Sequence, residues 1–183
     1  MSKILNIEDI DEKFKNKVYQ QDYTPQKNIE GVKVVAVKNF LSEEGDFSEI
    51  CRIANGELEL FPGFRLEQIN RTRLFPNSIK AWHIHFKQDE VWYLPPAYDM
   101  LVGLWDLRKD SATCGETMRI VLGGGQSKML FIPKGVAHGS ACFSPKEIEL
   151  FYFVNEQFNP NDPDEKRIPW DTLGEDFWKP QRD

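Results

Sequence analysis

A chain of 183 residues in which 40% are hydrophobic and 13% aromatic is long enough to bury a sizeable core within one principal domain. Its formal net charge of −6 argues against nucleic acid as a partner, because phosphate binding needs clustered Lys and Arg. No apolar stretch approaches the length of a membrane span, so a membrane is not an expected partner either.

Residues 1–30 are polar and weakly periodic, and read as an N-terminal arm with one short helix between Glu8 and Val18. From Gly31 onward the pattern becomes that of strands, and residues 31–183 are expected to form a single domain. Val34 to Lys38 reads as a strand, Ser42 to Asp46 as a turn, and Phe47 to Ile53 as a second strand. Arg65 to Thr72 alternates Leu66, Gln68, Asn70 and Thr72 against Arg65, Glu67, Ile69 and Arg71, which predicts a half-buried strand with polar groups lining a cavity. After a turn over 74–78, strands are expected at 79–86, 91–94, 100–107, 117–122, 128–132 and 140–143. Ile148 to Val154 is the clearest strand, with Leu150, Tyr152 and Val154 opposite Glu149, Phe151 and Phe153. The tail from Asn155 is rich in Pro and Asp and reads as irregular, with a helical turn near Glu175. Many short strands with frequent turns and almost no helical period predict an all-β sandwich or barrel of the jelly-roll kind, with a cavity between its sheets.

The three histidines concentrate the chemistry. His83 and His85 stand two apart in Lys80-Ala-Trp-His-Ile-His-Phe86, so a strand would turn both to one face and Trp82, Ile84 and Phe86 to the other. His138 follows in Ile132-Pro-Lys-Gly-Val-Ala-His138-Gly139, at an expected turn. A site built from all three suggests proton transfer or metal chemistry, since imidazole titrates near neutral pH and binds metals when neutral. The cysteines Cys51, Cys114 and Cys142 form no C-x-x-C pair and are expected as reduced thiols. With an N-terminus that lacks a signal-peptide run, this predicts a cytoplasmic protein.

Several blocks together resemble the dTDP-4-dehydrorhamnose 3,5-epimerase family, cupin-fold enzymes of nucleotide-sugar metabolism. Phe40-Leu-Ser-Glu-Glu-Gly-Asp-Phe47-Ser-Glu49 is similar to the family's acidic opening segment, and Gln68-Ile-Asn70-Arg-Thr72 to its Gln-Asp-Asn-His-Ser strand. Ile79-Lys80-Ala-Trp-His83 is similar to Leu-Arg-Gly-Leu-His, and Asp106-Leu-Arg-Lys-Asp-Ser-Ala-Thr-Cys-Gly115 to Asp-Leu-Arg-Lys-Asp-Ser-Pro-Thr-Phe-Gly. Ile132 to Gly139 resembles Ile-Pro-Glu-Gly-Phe-Ala-His-Gly, Leu150-Phe-Tyr152 resembles Phe-Leu-Tyr, and Trp170-Asp171 the closing Trp-Asp.

The resemblance implies a cupin-type jelly-roll barrel and an epimerase or isomerase acting without cofactor on a nucleotide-linked 4-keto-6-deoxy sugar. It makes His83 the base and Tyr152 the acid. It makes Gln68, Asn70 and Lys80 substrate-binding, together with Phe47 and Glu49, which would reach the nucleotide of a neighbouring subunit in a homodimer; His85 and His138 are expected to bind substrate beside them. The chain departs from the family in four places. Glu44 replaces an arginine, the lysine expected soon after the histidine strand falls near Asp89, Glu90 or Val91, the aspartate that orients the histidine has no clear counterpart, and His85 replaces a glutamine. Two alternatives follow. One is a metal-dependent cupin whose divalent transition metal is held by His83, His85, Glu90 and His138, a spacing that suits Fe, Mn, Ni or Zn. The other is a non-catalytic sugar-binding cupin.

Overall fold

The computed structural model describes residues 3–21 and 27–181. The chain divides into two compact units, Met1–Gln26 with Pro180–Asp183, and Lys27–Lys179. In the first, a 3-10 turn over Ile7–Asp9 is capped by Asn6, whose side chain accepts from the Glu8 backbone N–H, and a single helical turn, α1, spans Glu12–Lys15. Residues 22–26 of the expected arm lie outside the described residues.

The second unit is built from strands, in chain order β1 (Lys33–Ala36), β2 (Asn39–Ser42), β3 (Gly45–Ser48), β4 (Ile53–Ala54), β5 (Glu57–Leu58), β6 (Gln68–Leu74) and β7 (Ile79–Ile84). They continue as β8 (Glu90–Leu94), β9 (Asp99–Asp106), β10 (Thr117–Gly123), β11 (Lys128–Ile132), β12 (Val136–Cys142), β13 (Ile148–Val154) and β14 (Lys166–Arg167). Among the described residues they form two five-stranded antiparallel sheets, β1-β11-β8-β13-β6 and β10-β9-β12-β7-β14, with two small hairpins beside them. This is the all-β jelly roll expected.

Alternation along each strand fills three apolar layers. Between the sheets lie Leu74, Trp92, Leu94, Met100, Val102, Leu104, Leu122, Leu130, Ile148 and Leu150. Behind the first sheet, Val91, Tyr93, Met129 and Phe153 are covered by Leu58, Phe61 and Phe64. Behind the second, Trp82, Ile84, Leu101, Ala137 and Ala141 are covered by Trp178 of a 3-10 turn over Glu175–Trp178. Each fully buried Leu or Ile contributes roughly 1.5–3 kcal/mol of transfer free energy. Strand β8 is buried on both faces, which is why it reads as a continuous apolar run after Glu90.

Four expectations need correction. The strand over Phe47–Ile53 stops at Ser48, because β2 and β3 close as a hairpin around Glu43-Glu44 and Ser48 Oγ donates to Asn39 Oδ1 at 2.7 Å. The histidine strand ends at Ile84, leaving Phe86 exposed and His85 just beyond the ladder. His138 is not in a turn but inside β12. The turn is made earlier by Gly135, whose φ of +80° and contact 2.5 Å from Arg108 Cγ at the Cβ position leave no room for a side chain. Finally, the tail is not wholly irregular before Trp170, because Lys166–Arg167 adds as β14 to the edge of β7.

Candidate active site

A cavity of about 1100 Å³ opens between the sheets. Alternation on β6 turns Gln68, Asn70 and Thr72 into it, β7 contributes Lys80 and His83, β12 contributes His138, and β13 contributes Tyr152. His85 and Glu90 line the same space. The structure therefore gathers seven of the nine residues singled out for catalysis or substrate binding. Phe47 and Glu49 are the other two. They lie at the end of the β2–β3 hairpin, where Phe47 is 64% exposed and Glu49 Oε1 accepts from Arg52 Nε at 2.6 Å, and they do not line this chain's cavity. Glu44 lies on the same hairpin, with Ser42 Oγ donating to it at 3.2 Å.

Polar residues of the cavity wall are already tied to one another. Lys80 Nζ donates to Thr72 Oγ1 at 2.7 Å. Gln68 Nε2 donates to Asn70 Oδ1 at 2.6 Å, while Gln68 Oε1 accepts from the Phe158 backbone N–H at 3.0 Å.

His83 is placed opposite His138 in the β7–β12 ladder, and its ring lies between two residues that sequence reasoning missed. Arg167 Nη1 is 2.8 Å from His83 Nε2, and Glu165 Oε1 is 3.5 Å from Nδ1. Guanidinium only donates, so Nε2 must hold the lone pair and Nδ1 the proton, which faces the carboxylate. Burial, then His138, then Arg167 push the His83 pKa down to about 4. The ring is a neutral imidazole at neutral pH. Tyr152 stands on the other sheet. Burial first, then Glu90 and Glu165, raise its pKa above the usual tyrosine value, so its phenol keeps its proton. No signal in the sequence marked Glu165 or Arg167, because two paired residues inside a Pro- and Asp-rich tail offer no alternation to read.

Deeper in the wall, His85, Glu90 and His138 form one buried cluster. His85 Nε2 is 3.2 Å from Glu90 Oε1, and His138 Nε2 is 3.4 Å from Glu90 Oε2. Gln88 Nε2 donates to Oε1 at 2.8 Å and Trp92 Nε1 to Oε2 at 2.5 Å. Burial alone would raise the Glu90 pKa, but His138, His85 and Trp92 outweigh it and bring it to about 2. On the far side of the cluster, His85 Nδ1 donates to the backbone carbonyl of Asp164, whose carboxylate accepts from the backbone N–H groups of Phe86, Lys87 and Gln88 at 2.7–2.9 Å.

Residues 26–177 match the family model described as dTDP-4-dehydrorhamnose 3,5-epimerase. The chain is 41% identical over 148 residues to the spore coat polysaccharide biosynthesis protein SpsL of Bacillus subtilis, covering 80% of this chain and 94% of that one. It is 28% identical over 144 residues to the probable low-salt glycan biosynthesis epimerase Agl13 of Haloferax volcanii, covering 79% and 90%. Among solved structures it is similar to the dTDP-6-deoxy-D-glucose-3,5-epimerase RmlC of Legionella pneumophila in complex with dTDP-4-keto-L-rhamnose, with a TM-score of 0.67 and 25% identity over 78% of this chain and 74% of that one.

Proposed function

The chain belongs to the dTDP-4-dehydrorhamnose 3,5-epimerase family, and from that premise we propose that His83 and Tyr152 invert a carbon beside the ketone of a nucleotide-linked 4-keto-6-deoxy sugar. The protein is an epimerase of the jelly-roll class. The ketone acidifies the C–H bonds of its neighbouring carbons. His83 Nε2 takes one such proton, the C–H electron pair moves into the enolate, and the Tyr152 phenol returns a proton to the opposite face. The observation that carries this reading is the pairing of a neutral imidazole on β7 with a protonated phenol on β13, from opposite walls of one cavity. Arg167 covers the His83 lone pair until substrate displaces it, and its charge then lies beside the reacting centre.

A dTDP-sugar substrate fits the cavity's size, with Gln68, Asn70 and Lys80 as its binding residues and the buried His85 and His138 in the wall beside them. The ammonium of Lys80, held by Thr72 at the cavity wall, suits a diphosphate as a point charge without the fork of an arginine. Phe47 and Glu49 serve the cavity of a second copy in a homodimer. Their place outside this chain's own cavity supports this, as do the exposed Phe40 and Leu41 beside them. A cytoplasmic location suits the three free cysteines, and no helix of the described residues is long and apolar enough to cross a membrane. Incubation with dTDP-4-keto-6-deoxyglucose in D₂O tests the reaction. Deuterium should enter a carbon next to the ketone, and His83→Asn should slow entry by at least about 100-fold. Unchanged entry in His83→Asn would remove it as the base.

A further inference from the structure

The orientation of two buried rings points to an ion. His138 Nδ1 lies 3.1 Å from the Val136 carbonyl oxygen, and His85 Nδ1 contacts that of Asp164. A carbonyl only accepts, so both Nδ1 atoms carry protons, and each ring is left with Nε2 turned on Glu90. A neutral ring would then aim a lone pair at a carboxylate oxygen, and this would happen twice, in a buried setting that magnifies the repulsion. One proton relieves one ring. Relieving both that way needs two imidazolium ions around a single carboxylate.

We propose that His85 Nε2, Glu90 and His138 Nε2 bind one divalent transition-metal ion at the cavity wall. Ligand atoms about 2.1 Å from a common tetrahedral or octahedral ion are about 3.0–3.4 Å apart, and both nitrogen–oxygen distances in this cluster, 3.2 and 3.4 Å, fall in that range. All three donor atoms lie within 4.8 Å of one another. The surrounding bonds are those of a metal centre. Each ligand histidine donates its other nitrogen to a backbone carbonyl, and the ligand carboxylate accepts from Gln88 and Trp92. Two imidazoles and one carboxylate suit Zn, Fe, Mn or Ni and leave positions open to the cavity. His83 is not a ligand, because Arg167 and Glu165 hold its ring. Glu90 stands in the stretch where the family has a lysine, so the cation beside the keto oxygen would be supplied by the ion. This catalytic role rests on the epimerase reading, while the binding site does not.

Protein purified without a nickel column should carry about one equivalent of metal per chain by elemental analysis. Chelated protein should take up Co²⁺ with visible absorption bands and a raised Tm. Glu90→Gln and His138→Asn should abolish both, and His83→Asn should keep both while losing deuterium exchange. Wild-type protein that binds neither Co²⁺ nor Zn²⁺ at micromolar concentration overturns the site whether or not the variants fold. Chelation should slow wild-type exchange at least about tenfold and Zn²⁺ should restore it. Unchanged exchange in metal-free protein overturns the catalytic role and leaves the epimerase standing. Metal-loaded protein that exchanges with no keto-sugar nucleotide overturns the epimerase and leaves the site standing.

Discussion

Proton ownership at single atoms separates the residues of this cavity into two groups. His83 keeps its lone pair at Nε2 because Arg167 donates there, and Tyr152 keeps its proton because burial and two carboxylates oppose its loss. The two can therefore hand a proton through the substrate in one direction. Tyr152→Phe separates the half-reactions. The variant should still exchange the substrate proton with solvent through His83, while epimer formation falls at least about 100-fold, as read by deuterium NMR and product analysis. Equal loss of exchange and inversion would instead assign Tyr152 to binding. The His-x-His spacing and the later Pro-x-Gly-x-x-His made the three imidazoles legible from residue order. Their division into a proposed base and a buried pair was not, because the partners that decide it, Arg167, Glu165 and Asp164, come from a segment without periodicity.

Among the elements, turns decide more than strands. Asp106 ends β9 and is fully buried, yet it accepts from Arg108, Ser111 and Thr113 at 2.6–2.8 Å. Burial alone would raise its pKa, but those donors prevail and hold it well below the usual carboxylate range. Because the folded value lies below the unfolded one of about 3.9, the stability it adds is present above that pH and is lost as pH falls below it. Asp106→Asn should cost about 2–4 kcal/mol at neutral pH, and the gap to wild type should narrow in urea unfolding below about pH 4. A gap independent of pH would refute the charge as its origin. The end of β9 was legible, since a strand was expected over 100–107 and the observed one stops at Asp106. Strands with clean alternation, such as β6 and β13, were also legible. The short β14 was not, because two residues cannot display a period.

For the molecule as a whole, an apolar hairpin is left exposed, and its tip residues do not line this chain's cavity. Phe40, Leu41 and Phe47 are 58%, 84% and 64% exposed, a cluster better suited to contact than to solvent. In the proposed homodimer, Phe47→Asp should shift light-scattering mass from two chains toward one and raise KM more than it lowers kcat, since the residue would touch nucleotide and not the reacting carbon. A variant that stays dimeric with unchanged KM would detach the hairpin from the site. The jelly roll was readable from turn spacing, and the cavity from the polar face of β6. The hairpin's outward position was not, because a strand pattern records which faces are apolar but not which chain covers them.

Asp164 joins the last strand to the loop after β7 through its carboxylate and to the His85 ring through its carbonyl, and β14 places Arg167 on His83. A ribosome that has released the first 150 residues has therefore made every histidine and both sheets' central strands, but no working cleft. Competence would arrive only when the acidic tail emerges and pairs back onto β7. A protease that nicks this stretch would extinguish turnover while leaving most of the barrel intact.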